Sequence, residues 1–101
     1  MNYLKKLSLA FLLFIGSLVY ADSNNKFKDV QIKSIQIENG IYMLMGKGGN
    51  IGLSVGDDGV FMIDDQFAPL TQKIKNAISE ISKKDIKFVL NTHWHFDHTG
   101  G

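Results

Sequence analysis

At 101 residues the chain has the size of one small domain, and a formal charge of +1 with no arginine and no basic run excludes nucleic acid as an expected partner. The absence of cysteine removes disulfides and cysteine-borne lipid attachment, so stability must come from packing, with or without a metal.

The first residues read as an address. Lys5 and Lys6 give a basic start, Leu7 to Val19 carry no charge, and Val19-Tyr20-Ala21 offers a small-residue cleavage site. That uncharged run is short of the roughly twenty apolar residues a spanning helix needs, and Gly16 and Ser17 favour cleavage over a lasting anchor. A signal peptide over 1–21 is expected, with cleavage near Ala21. The protein is then periplasmic or secreted, and it meets a membrane only transiently. Without Lys5 and Lys6 the chain has nine lysines against ten acids, a formal charge of −1.

Residues 22–29 are polar and are expected to form a flexible lead-in to a domain over 30–101. Val30 and Ile32, then Ile35 and Ile37, are spaced by two, the pattern of a half-buried strand. Asn39-Gly40 supplies a turn, since both residues tolerate positive φ. Ile41 to Met45 is apolar at every position and reads as a core strand. Gly46 to Asn50 follows as a mobile connection. It lacks the spacing and final hydroxyl of a GxxxxGK[ST] phosphate loop and does not complete GxGxxG.

Ile51 to Val55, the turn Gly56-Asp57-Asp58-Gly59 and Val60 to Ile63 predict a second hairpin. Asp64 and Asp65 end its second strand, where adjacent side chains face opposite ways. Pro69 suits a first helical turn, and Leu70, Ile74, Ala77, Ile78 and Ile81 then mark one face of an α-helix. Lys73, Lys75, Asn76 and Glu80 fill the opposite, solvated face. Ile86 to Leu90 is a short apolar strand that leads towards His93.

All three histidines of the chain lie in His93-Trp94-His95-Phe96-Asp97-His98. In an extended backbone His93 and His95 point to one side, with Trp94 on the other. A helical turn beginning after Phe96 would bring Asp97 and His98 round to the same opening. Imidazole nitrogens with a nearby carboxylate are donors that zinc and other borderline divalent ions prefer. A lone histidine at a strand end is ordinary surface or core, but this cluster points to a metal site.

His93-x-His95-x-Asp97-His98 resembles the HxHxDH signature of the metallo-β-lactamase-fold hydrolases. Asn91-Thr92 before it and Thr99-Gly100-Gly101 after it are similar to that family's NTHxHxDHxGG run, and Val60 to Asp64 resembles its strand ending in Asp. The resemblance implies an α/β (α+β) fold, the N-terminal half of an αββα sandwich. That sandwich needs roughly twice this length, so the chain is expected to be part of a longer protein. It also implies that His93 and His95 ligate a first zinc ion and Asp97 and His98 a second. A hydroxide between the two would attack an acyl carbon of a small-molecule substrate, a β-lactam, thioester, lactone or similar, with Asp97 the catalytic residue that orients it and relays its proton. Asp64 would support the site from beneath, Asp65 being the more solvated of the pair. The Gly46 to Asn50 loop, with Lys47 and Asn50, would hang over the metals and help admit substrate. Other readings are a single-iron sulfur oxygenase on the same fold, and a non-catalytic truncated half-domain that binds metal weakly.

Overall fold

The computed structural model describes residues 26–101. The expected signal peptide and the first part of the lead-in lie outside the described residues. Among the described residues no helix is long and apolar enough to cross a membrane.

Five strands form one sheet in sequence order: β1 (Lys33–Glu38), β2 (Ile41–Met45), β3 (Ile51–Gly56), β4 (Gly59–Ile63) and β5 (Ile86–Leu90). The first four make an antiparallel meander, and β5 joins β4 in parallel. A parallel neighbour needs a crossover, which is supplied by a 3₁₀ turn at Ala68–Leu70 and helix α1 (Thr71–Ile81). A last short helix, α2 (Phe96–Thr99), follows the histidine run. The mixed α/β class expected from the sequence is therefore present.

The expected turns fall in place. Gly40 takes φ +75° between β1 and β2, and Asp57-Asp58 form the tight connection between β3 and β4, with Gly59 at φ +135°. Pro69 sits in the first turn of the crossover, where its missing N–H costs nothing.

The core occupies one face of the sheet. Leu44, Ile51, Leu53, Val60 and Met62 are buried against Leu70, Ile74 and Ile78. Ala77 and Ile81, also expected on the apolar face, are half-buried. Burial of each such aliphatic side chain contributes roughly 1.5–3 kcal/mol, which outweighs the modest helix propensity of a segment with three isoleucines.

Three expectations are corrected. β1 is exposed along its whole length, with Ile35 at 44 % and Ile37 at 62 %. Val30 and Ile32 precede the strand and pack on the core from outside it. The period-two pattern was right for an extended segment, but burial depends on a covering neighbour, and none is present among the described residues. In β2 only Leu44 is buried, while Ile41 is exposed, because the sheet has one covered face.

The third concerns Lys73. Residues 26–29 form a turn, with Phe27 packed on Phe67 at a ring separation of 5.1 Å. Lys73 is not simply solvated, because its Nζ donates to the carbonyls of Phe27, Lys28 and Val30 at 3.1, 2.7 and 2.7 Å. An ammonium has three donors, and all three are engaged.

Candidate metal centre

β5 ends at Leu90 and the chain bends through residues 92–94. The backbone is extended again at His95 (φ −63°, ψ 144°), which precedes α2. The His95 carbonyl accepts the N–H groups of His98 and Thr99 at 2.9 and 3.1 Å, closing the turn. The helical turn after Phe96 is thus as the sequence implied. His93 lies with its ring 4.6 Å from that of His95 and 4.0 Å from that of His98. Asp97 Oδ2 stands 3.5 Å from His98 Nε2. The four candidate ligands therefore lie close to one another.

Asp64 anchors this cluster from below. It is 4 % exposed, in the left-handed region at φ 66°, a conformation that a short polar side chain tolerates better than a bulky one. Its Oδ1 accepts the Thr92 N–H at 2.7 Å, and its Oδ2 accepts the Thr92 hydroxyl at 2.8 Å and His98 Nδ1 at 2.7 Å. Burial opposes the charged form of Asp64, but the Thr92 backbone N–H, His98 and the Thr92 hydroxyl outweigh it and hold the carboxyl below its usual value.

This network orients the imidazole rings. An ionised carboxylate only accepts, so His98 Nδ1 donates to Asp64. The Thr92 hydroxyl spends its one proton on Asp64, so towards His93 Nδ1, 2.8 Å away, it accepts. Thr92 carried no role in the sequence reading, since its partner Asp64 is 28 residues away and no periodicity encodes that contact.

Asp65 is the more solvated of the pair, as expected, yet it is also tied to the motif. Its N–H donates to the His98 carbonyl at 2.9 Å, and its Oδ1 accepts from Gly101 N at 2.9 Å. Asn91 Nδ2 also donates to the His98 carbonyl, at 2.9 Å. The motif is clamped on both sides.

The Gly46 to Asn50 loop is docked rather than free. Gly49 N donates to Asp97 Oδ2 at 3.1 Å, and the Gly49 carbonyl accepts from Gln66 Nε2 at 2.6 Å. A Cβ at Gly49 would fall 2.4 Å from the His98 ring, and one at Gly48 2.8 Å from Asp97 Cβ. Glycine is required there for close approach. Lys47 and Asn50 are exposed on this loop, and Lys47 Nζ sits 5.6 Å from the Phe27 ring centroid. Beside the motif, Phe67, Trp94, His95, Phe96 and Asp97 line a largely apolar hollow of about 480 Å³.

By residue type the donor set suits a borderline divalent ion: two imidazoles held by partners on Nδ1, a third imidazole at His95, and a carboxylate. Among the described residues no group of three His, Cys, Asp or Glu side chains is placed to hold one ion.

A family model described as the metallo-beta-lactamase superfamily matches residues 44–101. Among solved structures, that of BJP-1, a subclass B3 metallo-β-lactamase of Bradyrhizobium japonicum, is similar at 32 % identity and a TM-score of 0.63. The match covers 75 % of this chain and 30 % of that one, so the chain spans under a third of that relative's length. No curated protein matches.

Proposed function

The chain belongs to the metallo-β-lactamase superfamily, whose members are generally metal-dependent hydrolases, and from that premise we propose a zinc-dependent hydrolase cleaving an acyl bond in a small molecule. The observation that carries the reading is the clustering of the His93, His95 and His98 rings, with the Asp97 carboxylate beside His98.

In this reading His93 and His95 hold one zinc ion while Asp97 and His98 hold another. Bound zinc supplies an acidified water and an electrophile for the acyl oxygen. Asp64 and Thr92 hold the Nδ1 sides of His98 and His93, so both rings are oriented before a metal binds. Gly49 N–H engages Asp97 Oδ2, which fixes the carboxylate while its other oxygen orients water and takes a proton. The hollow walled by Phe67, Trp94 and Phe96 lies within the size range of small-molecule sites, and it seats an apolar part of the substrate beside His95 and Asp97. A β-lactam, a thioester and a lactone all satisfy this description. Export through the Lys5-Lys6 start and the Leu7 to Val19 run belongs to the same proposal, with Asp22 as the first residue of the mature chain by mass spectrometry.

The test is metal analysis of the full-length protein with assays on β-lactam, thioester and lactone panels. Hydrolysis of one class is expected, falling by about 100-fold or more in Asp97→Asn and equally in His95→Ala. Normal turnover by His95→Ala would sink the metal assignment. Iron with redox-linked spectra and no hydrolysis would replace the reading with a sulfur oxygenase.

A further inference from the structure

Gln66 is fully buried, yet it sits in the loop after β4 and took no part in the sequence reading. It joins two parts of the site that are remote in sequence. Its carbonyl accepts the N–H groups of Gly100 and Gly101 at 2.8 and 3.2 Å, fastening the end of α2. Its side-chain Nε2 donates to the Gly49 carbonyl at 2.6 Å, and the N–H of that same glycine meets Asp97 Oδ2. A single residue thus binds the loop and the motif together.

Two costs are retained to keep it there. Gln66 adopts φ 57°, a region that non-glycine residues seldom occupy. Its Oε1 is buried without a hydrogen-bond partner, an exception that native interiors rarely keep. An apolar residue of similar volume would avoid the second cost. Such costs persist where the surrounding structure over-determines a conformation, typically at functional sites.

We propose that Gln66 is a positioning residue for Asp97: its amide latches the Gly46 to Asn50 loop onto the motif, so that the Gly49 N–H fixes the carboxylate beside His98. The proposal rests on the zinc reading for the role of Asp97, while the latch itself is a property of the protein without metal. Gly46 explains why the latch fits. A Cβ at that position would lie 2.6 Å from Gln66 Oε1 and 2.8 Å from Ile32 Cδ1, so only glycine lets the amide reach Gly49.

The experiment compares the full-length protein with Gln66→Met, which keeps the length of the side chain and removes the amide. Gly46→Ala is the second variant, which keeps the amide and pushes it aside. Amide hydrogen exchange at Gly49 is read without metal, and zinc affinity by calorimetry. Both variants should expose the Gly49 amide to faster exchange while exchange in β3 and β4 is unchanged. Both should weaken zinc binding by about 10-fold or more, as loss of a ligand's hydrogen-bonded support does. The decisive arm is a double-mutant cycle: in an Asp97→Ala background Gln66→Met should change zinc affinity no further. A loss of equal size in that background would assign Gln66 a merely structural role and overturn the proposal. Unchanged Gly49 exchange in both variants would overturn it too, even if one of them folds poorly. A parent protein that takes up no zinc would sink the zinc reading, and the Gly49 exchange would still decide the latch.

Discussion

The residue on which most of the site depends is Asp64. Through Thr92 it orients the ring of His93, and directly it orients that of His98. Its folded-state pKa lies below the ordinary value of 3.8, so its ionised form stabilises the fold above that value. The contribution is lost as pH falls from 3.8 through the lower folded value. Asp64→Asn should therefore be less stable than the parent at neutral pH, and the two should converge in acid. Thermal melts across that range check it, and a deficit independent of pH would show that the charge is immaterial. The ligand candidates were legible because all four fall within six residues and their spacing has a direct geometric meaning. Thr92 and Gln66 were not. Their partners stand 28 and 17 residues away, and neither residue type carries metal chemistry that would single it out.

Among the elements, α1 shows two kinds of contact with different reach. Ile74, 3 % exposed, faces the sheet among fully buried neighbours, so Ile74→Ala should cost about 2–5 kcal/mol and lower the melting transition of the whole domain. Lys73 is on the next position but ties down only the turn at 26–30. Lys73→Met should leave the global melt nearly unchanged while opening that turn to proteolysis and exchange. A matching drop in both variants would mean that the turn and the core form one cooperative unit. The apolar period of α1 was readable because its partner face is a sheet already implied by the flanking strands. The exposure of β1 was not readable, because alternation specifies which side chains share a face and leaves open whether anything covers it.

For the whole molecule the sheet has two unlike faces. One is packed by α1, and the other carries Ile41, Phe61 and Phe88 in one row and Met43, Ile63 and Leu90 in the next. Phe61 and Phe88 stack at 5.5 Å, and Ile63, Phe88 and Leu90 are 47 %, 61 % and 64 % exposed. A contiguous apolar face of this kind is an association surface when nothing lies over it. Residues 22–101 produced alone should therefore self-associate at micromolar concentration, and Phe88→Lys with Leu90→Lys should reduce it. Sedimentation velocity checks both, and a dilute, well-folded monomer of the unmodified stretch would contradict the expectation.

The long sequence separations of the contacts that close the site carry a consequence for the order of assembly. The β1 to β4 meander needs only neighbouring hairpins, whereas Asp64 meets Thr92 across 28 residues and Gly49 meets Asp97 across 48. Loop closure over such distances comes at a higher entropic cost and is deferred on the folding pathway. The histidine motif is therefore expected to dock onto a scaffold already formed. Substitutions in the network around Asp64 should accelerate unfolding and leave the folding rate nearly untouched, and stopped-flow folding and unfolding rates check it. On that order of assembly the chemistry of the site can vary without slowing the step that builds its frame.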